Sequence, residues 1–581
     1  MSLDAPAEAV SRLGPLAARA RAAAPTPAEA AAAVASALLL ALAFPDFGLW
    51  PLAWVGLVPL LFAVAARPRA PQAFVLGWLA GTLFFYVTCH WLTYPMIRYA
   101  GIPPWVAYPL LFPVTLVAGL FPALFAAALA RVCSRRGAAA LFLAGPLWVA
   151  SEWARLGVIG QLWNALGYSQ AERPELIQAA SFGGVYAVSF LLVTTNAALA
   201  YALLRRDARA AVVSVVALLA VALAVAGFSR GEAESGAAAS AAVVIAVQPN
   251  VIPDFKRPAA EYEALRRSHF ALSAAALRSL DAARASGGGD APGAVVEGGA
   301  GANDSAGGAD VFAVGADAAF GVGLSRAELA RLPRVVVWPE SPMNFSFATD
   351  ARFREEVARF NRGHRTSLIF NSMEPVPEGG DYNAAVLVNE EGRLAVQYDK
   401  IRLLPFGEYV PVPSWVPGAN FIRGVVGDFT PGTRYALMPL GGDAGPRAGV
   451  FICVESAYPS ITRRFAQEGA DVLIEITNDA YQGDTAVLRQ HQANAVFRAV
   501  ETARPVLRVT NTGLTARVTP RGRLLDAAAK FRPAVRVWAA ARAAGGQTFY
   551  VRHGDLFAAL CALTSALALL LTLRRRPALR R

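Results

Sequence analysis

The chain has 581 residues, 55% of them hydrophobic and only 17% charged, with a mean hydropathy of +0.40. That balance excludes an ordinary soluble globular protein and fits a polytopic membrane protein with length left over for a soluble domain. The net charge of +12 does not indicate a nucleic-acid binder, because the arginines flank apolar runs rather than sharing one basic face.

Residues 1–28 are an Ala-, Pro- and Arg-rich tail that lacks the compact cleavable pattern of a signal peptide. Residues 29–228 hold seven apolar runs, at 29–46, 48–66, 73–94, 104–130, 138–154, 183–204 and 210–228. An eighth run, 555–573, precedes a basic tail at 574–581. Each run is near the ~20 residues that a helix needs to cross the hydrocarbon core. Pro45 and Gly48 crowd the turn between the first two runs. Glu152 and Arg155 stand one helical turn apart at a span end, placed to pair with each other.

Arginine decides the expected orientation. With the N-terminus in the cytoplasm, 16 arginines fall in inside segments and 3 (Arg98, Arg155 and Arg173) in short outside loops. The positive-inside rule then puts both termini in the cytoplasm, and the segment between the seventh and eighth runs outside it.

Residues 240–545 change to short β-like runs alternating with helical ones, the pattern of a layered α/β domain. Ala241–Val247, Val472–Ile476 and Val506–Val509 read as strands, and Tyr262–Ala285 and Ala486–Thr502 as helices. Ala384–Val388 and Leu394–Tyr398 flank Asn389-Glu390-Glu391-Gly392, a hairpin signal. Residues 286–325, rich in Gly, Ala and Asp, read as a flexible insertion, with a poorly patterned pair of extra strands as the alternative.

Three apolar runs in this segment end in chemistry-bearing residues. Glu340 follows Val335-Val336-Val337-Trp338-Pro339, Lys400 follows Val396-Gln397-Tyr398-Asp399, and Cys453 follows Val450-Phe451-Ile452. Lys400 is one of only three lysines, with Lys256 and Lys530. Cys453 is the sole cysteine of the segment, so no disulfide can form within it, and no Cys/His spacing suggests zinc. A carboxylate, an ammonium and a thiol are the parts needed for acyl transfer through a thioester, with a low-pKa thiolate as nucleophile. Taken singly, each has a plainer reading: a cysteine after Val-Phe-Ile is commonly core, and Glu or Lys at a strand end is commonly solvated.

The order of these segments resembles the Glu-Lys-Cys arrangement of the nitrilase superfamily, and within the apolar frame it is similar to the apolipoprotein N-acyltransferase family. The residues that carry the resemblance are Trp338-Pro339-Glu340-Ser341, Tyr398-Asp399-Lys400 with Pro405-Phe406-Gly407-Glu408-Tyr409, and Ile452-Cys453 with Glu455. Trp163-Asn164, Leu166–Gln170, Val247–Asn250, Thr477-Asn478-Asp479, Arg489-Gln490-His491, Arg504-Pro505 and Thr510–Gly513 add to it. The departures are Ala480-Tyr481-Gln482-Gly483 where many relatives carry Trp-Phe-Gly, Val454 where many have Tyr, and Arg257 after Lys256 where a tryptophan is common.

The resemblance implies eight spans plus an αββα nitrilase-like sandwich. It also implies transfer of an acyl chain from a phospholipid donor to the N-terminal S-diacylglyceryl-cysteine of an apolipoprotein acceptor, the last step of lipoprotein maturation. No cofactor, metal or nucleic acid is expected, and the expected form is a monomer in the bacterial inner membrane. Glu340 is the expected general acid–base, Lys400 the stabiliser of thiolate and oxyanion, and Cys453 the nucleophile. Glu408 would orient Lys400, Glu455 would hold the loop after the nucleophile, and the N–H of Val454 would be a second oxyanion donor. Asn478 is carried as a supporting residue, although it, Asp479, Asn511 and Thr512 also read as turn or cap residues, and His491 as structural. Trp163, Tyr168, Trp415 and Tyr481 are expected at a substrate or lipid entrance, with belt or loop packing as the plainer alternative. The competing functions are a membrane-tethered amidase, for which one or two spans would suffice, and a transporter, which would place ionisable groups at mid-depth.

Overall fold

The computed structural model describes residues 24–573, except 161, 234–239, 255–256, 286–316, 321–327, 329–330, 341, 378, 412–414, 416–428 and 544. The chain divides into two compact units. One is Met1–Phe228 with Thr485–Gln490 and Asp555–Arg581, and the other is Ser229–Asp484 with His491–Gly554.

The first unit is helical. Its main helices are α1 (Pro27–Ala43), α2 (Val58–Ala66), α3 (Ala70–Thr88), α4 (Pro104–Arg136), α5 (Ala144–Ile159), α6 (Val185–Arg205) and α7 (Ala208–Ala233), and Leu556–Leu573 closes the unit. Helix α1 starts where its chemistry dictates. Pro27 stands at the first helical position, where no donor is lost. The Glu29 N–H reaches Thr26 Oγ1 at 3.3 Å and the Thr26 N–H reaches Glu29 Oε2 at 2.8 Å, a reciprocal cap. Helices α3 and α4 approach closely because small residues face each other. A Cβ on Gly77 would collide with the Pro122 carbonyl oxygen, and one on Gly119 with Thr82 Oγ1.

Among the described residues, four helices are long and apolar enough to cross a membrane: α3, α4, α6 and Leu556–Leu573. Three of the other expected spans are shorter or interrupted, and the run at 210–228 falls in α7, whose apolar stretch among the described residues is Val212–Ala224. Helix α1 has 17 residues, and the run at 48–66 is a 3-10 turn, Trp50–Trp54, followed by the nine-residue α2. Helix α5 has 16 residues and carries two buried charged side chains, Glu152 and Arg155. The two interact electrostatically, as their spacing in the sequence suggests, while their hydrogen bonds run to other groups. Glu152 Oε1 accepts from the Leu166 N–H at 2.8 Å and from Trp148 Nε1 at 2.9 Å. Arg155 donates to the Trp163 carbonyl at 2.7 Å and lies over the Phe85 ring. Both side chains reach the loop that follows the helix, where buried backbone groups need partners.

The second unit contains two sheets. Its strands are β1 (Ser240–Gln248), β2 (Asp317–Phe320), β3 (Arg334–Val337), β4 (Ser367–Pro375), β5 (Asp381–Val388), β6 (Leu394–Asp399), β7 (Leu437–Pro439), β8 (Arg447–Ile452), β9 (Val472–Thr477), β10 (Val506–Thr510), β11 (Ala516–Val518), β12 (Leu524–Leu525) and β13 (Ala534–Ala541). One sheet runs β2-β13-β1-β3-β4-β5-β6 and the other β12-β11-β10-β9-β8-β7. The sheets meet through β1 against β10 and β5 against β8. Helices Ala259–Ala285 and Ala351–His364 cover the first sheet, supplying Leu277, Leu280, Phe353 and Val357 to a core with Val336, Trp338, Phe370 and Val386. Helix Pro459–Gln467 packs on β8 of the second. The result is the helix–sheet–sheet–helix layering expected of a nitrilase-like domain. The insertion expected at 286–325 is corrected in part: residues 317–320 form β2, paired in parallel with β13 from Asp317 opposite Ala534 to Phe320 opposite Val537. Its other residues, 286–316 and 321–325, lie outside the described residues.

The first core also holds a histidine. His269 is fully buried, its ring edge-on to Trp338 at 5.2 Å and to Phe345 at 5.6 Å, with Nδ1 against the Leu265 carbonyl. Burial pushes its pKa down to about 4, partly offset by the Leu265 carbonyl. Below the ordinary histidine value of ~6.5 the unfolded chain takes up a proton that the folded one does not. Stability contributed by the neutral ring is therefore complete above that pH and is lost as pH falls toward 4. Thermal unfolding of the purified protein is expected to lose about 2 kcal/mol more between pH 6.5 and 4.5 in the wild type than in His269→Leu. Equal pH slopes in the two proteins would refute a neutral buried ring.

Candidate active site

The three strand-end residues fall in the second unit. Glu340 follows β3, Lys400 follows β6, and Cys453 follows β8 at the start of a 3-10 turn, Cys453–Ala457. Lys400 is the most deeply placed, with 1% of its side chain exposed. Its ammonium lies 2.8 Å from Glu408 Oε1 and 3.5 Å from Glu340 Oε1. Desolvation would strip its proton, but the Glu408 and Glu340 carboxylates outweigh it and hold the pKa above the ordinary lysine value. Glu408 is fixed in turn, since its Oε2 accepts the Leu404 N–H at 2.6 Å. So anchored, it sets where the ammonium sits.

Glu340 is held from three directions: by Lys400, by Asn383 Nδ2 at 3.1 Å to Oε1, and by the Asn478 N–H at 3.1 Å to Oε2. Asn383 also bonds Glu408 Oε1, so one amide bridges the two carboxylates. Asn383 was not anticipated from the sequence. The available signal was an amide leading into an apolar strand, in Asp381-Tyr382-Asn383-Ala384-Ala385. Asn478 has a second task. It caps the turn Asp479–Gln482, and its Oδ1 accepts from Asn511 Nδ2 at 3.0 Å, while Asn511 also clasps both backbone groups of Val251.

Cys453 adopts a left-handed backbone, φ 53°, costly for a residue with a side chain and characteristic of a nucleophile on a sharp strand-to-helix turn. Its thiol does not have the low pKa that the sequence suggested. Burial first, then the Glu340 carboxylate, push it well above the ordinary thiol range, and Lys400 only partly opposes them. The resting group is therefore a thiol rather than a thiolate.

Glu455 is buried and acts as a knot. It accepts Tyr398 Oη at 2.8 Å, the Ile401 and Arg402 N–H groups at 2.8 and 3.1 Å, and the Ile452 N–H at 2.9 Å. It ties the segment after Lys400 to the strand end before Cys453, a wider role than holding the nucleophile loop. Val454 is buried beside it.

The expected entrance residues fall in both units. Trp163 and Tyr168 belong to the first unit. Trp163 Nε1 donates to Gln490 Oε1 at 2.9 Å, an acceptor shared with Trp91, and Tyr168 is buried. Trp415 is 81% exposed, and Tyr481 is half-buried in the turn after Asn478. Among the described residues no cluster of His, Cys, Asp and Glu could hold a metal ion.

Comparison with known proteins accords with these two units. Residues 36–198 match the family described as apolipoprotein N-acyltransferase N-terminal domain, and residues 327–545 match carbon-nitrogen hydrolase. A protein named apolipoprotein N-acyltransferase from Geobacter metallireducens is 31% identical over 92% of this chain and 94% of its own length. The chain belongs to the apolipoprotein N-acyltransferase family. A second family member, from Bradyrhizobium diazoefficiens, is 28% identical over 93% of each chain. An amidase of known structure from Nesterenkonia sp. is 15% identical, covers 55% of this chain and 96% of its own, and has a TM-score of 0.31.

Two substitutions test the lysine's surroundings. Glu408→Gln removes the nearer carboxylate and leaves a buried ammonium with one distant partner. Acyl transfer is expected to fall by about 10–100-fold, the equivalent of 1–3 kcal/mol for a lost buried charged bond, in a protein that still folds. Gly432 donates its N–H to the Lys400 carbonyl at 2.8 Å, and a Cβ there would collide with the Asp399 carbonyl oxygen. Gly432→Ala must therefore displace its own segment or the Asp399–Lys400 backbone, breaking or bending the contact to Lys400, and a comparable loss of turnover is expected. Full activity in either variant would show that Lys400 tolerates displacement.

Proposed function

We propose that the protein transfers an acyl chain from a membrane phospholipid to the α-amino group of an N-terminal S-diacylglyceryl-cysteine, in two steps through a thioester on Cys453. The observation that carries this reading is the buried Lys400 ammonium bracketed by Glu408 and Glu340, beside a thiol that burial and Glu340 keep protonated. Family membership and the four long apolar helices support a lipid substrate. We extend this to eight spans with both termini cytoplasmic, the catalytic domain on the outer face of the bacterial inner membrane, and a monomeric enzyme.

In the first step Glu340 takes the Cys453 proton as the sulfur attacks the ester carbonyl. The oxyanion that forms is met by Lys400 and by the Val454 N–H. Collapse breaks the carbon–oxygen bond, and Glu340 returns its proton to the departing glycerol oxygen, leaving a lysophospholipid and the thioester. In the second step the acceptor amine attacks the thioester carbonyl, and Glu340 removes an amine proton. The carbon–sulfur bond then breaks, the proton passes to sulfur and the thiol is restored. No nucleotide is consumed, because an ester is exchanged for a more stable amide by way of a reactive thioester.

Intact mass of the purified protein after incubation with phospholipid, then with a diacylglyceryl-cysteine peptide, tests the reading. The wild type is expected to gain one acyl mass and to lose it as the peptide becomes N-acylated. Cys453→Ala is expected to gain nothing while remaining folded. No gain in folded wild type would remove the phospholipid donor and favour an amidase of the carbon-nitrogen hydrolase type.

A further inference from the structure

Close to Cys453 lies a second group of charges that the acyl-transfer steps leave unused. Glu475 on β9 and Arg508 on β10 stand directly opposite in register, and the Arg508 guanidinium bonds Glu475 Oε2 and Asp479 Oδ2, both at 2.6 Å. His491 completes the set. Its Nδ1 lies 2.6 Å from Asp479 Oδ1, and its Nε2 lies 3.0 Å from Glu475 Oε1 and 3.0 Å from the carbonyl oxygen of Cys453. All four side chains are buried.

The geometry fixes the state of the ring. Both nitrogens face oxygens that only accept, so a neutral tautomer would aim a lone pair at a carboxylate or a carbonyl. Both nitrogens must donate, and the ring is an imidazolium. The four charges then sum to zero, as a buried cluster requires. The pKa agrees in direction: burial and Arg508 lower it, but Asp479 and Glu475 prevail and raise it to about 9.

Through His491 this cluster grips the Cys453 carbonyl. A peptide unit is planar and trans, so fixing that carbonyl fixes the N–H of Val454 on the opposite edge. That N–H opens the turn Cys453–Ala457, where the first N–H groups have no acceptor within the turn. We propose that His491, held as an imidazolium by Asp479, Glu475 and Arg508, is a positioning residue that aims the Val454 N–H at the acyl oxyanion. The proposal rests on the acyl-transfer reading and adds to it the device that sets the second oxyanion donor. It also accounts for the left-handed backbone at Cys453, since an unfavourable conformation persists only where its surroundings over-determine it.

The charged groups facing the ring are Asp479 beyond the end of β9, Glu475 on β9 and Arg508 on β10, with the Cys453 carbonyl on the remaining side. Asp479→Asn removes the largest influence that keeps the ring charged. Two rates are to be followed against pH: acyl-enzyme formation from phospholipid, by intact mass, and alkylation of Cys453 by iodoacetamide. Alkylation uses the same sulfur but forms no oxyanion. In the wild type, acylation is expected to decline above about pH 9, whereas alkylation should not. In Asp479→Asn that decline should move down by at least about one pH unit, with alkylation no slower than in the wild type, since loss of the Asp479 charge favours the thiolate. His491→Gln, whose amide can still donate to the Cys453 carbonyl, should acylate at least about tenfold faster than His491→Leu and show no such decline. An unshifted acylation profile in folded Asp479→Asn, or equal losses of acylation and alkylation, would overturn the proposal. Absence of any acyl-enzyme in the wild type would instead overturn the acyl-transfer reading itself.

Discussion

The second unit is organised around keeping one ammonium charged where almost no water reaches it. A lysine side chain that is 1% exposed forfeits its hydration, and only nearby carboxylates can replace that loss. Glu408 does so at 2.8 Å, and Glu408 in turn needs the Leu404 N–H and Asn383 to stay in place. Asn383 sits in the β4–β5 ladder opposite Met373, and its carbonyl takes the N–H of Lys400 itself. The demand for charge compensation thus propagates from one side chain into the strands that present it. The glycine at 432 belongs to the same demand, because no side chain fits where the chain crosses the Lys400 backbone.

Two ionic groups of different character flank Cys453. The Glu340–Lys400–Glu408 group includes one carboxylate that is 15% exposed and loosely paired, as the proposed proton exchange with substrate would require. The Glu475–Asp479–Arg508–His491 group is shut away, with three of its contacts at 2.6 Å, as a group that holds geometry should be. Burying four charges gains little stability over an apolar filling, so their value lies in directing specific atoms. What they direct is the turn on which Cys453 sits.

Much of this was readable in the sequence, and the remainder was not for identifiable reasons. The strands at 240–248, 472–477 and 506–510 and the hairpin at 381–399 follow from apolar runs and a turn signal, because local patterning suffices for buried strands. Glu340, Lys400 and Glu408 were singled out by position and resemblance, and they lie within one ionic group in the structure. Asn383 escaped notice because its partners Glu340 and Glu408 are distant in the chain, and nothing local marks it. Glu475 and Arg508 were legible in principle: each interrupts an apolar strand with a charge, and buried opposite charges in neighbouring strands have to be paired. The state of the Cys453 thiol is not legible in the sequence, because a nearby cation is visible there, whereas desolvation is not. Four of the expected spans are single long helices, and others are shorter or broken by a 3-10 turn, since hydropathy does not register helix interruption.

The arrangement of charge also explains how one carboxylate could serve every proton transfer in the proposed cycle. At rest, Glu340 and Glu408 are opposed by one ammonium. When Glu340 takes the thiol proton, it becomes neutral and the negative charge appears on sulfur and then on the acyl oxygen, next to the same lysine. The net charge of the enclosed site does not change; it only moves. In a region from which water is largely excluded, a reaction that kept creating or removing net charge would incur the desolvation cost at every step. The unequal distances follow from this. In the proposed cycle Glu408, close and fixed at 2.8 Å, holds the lysine in place, while Glu340, at 3.5 Å, is the carboxylate that carries the proton. A symmetric pair of carboxylates would share the ammonium equally, and protonating either would then disturb the lysine that the proposed cycle uses as oxyanion donor.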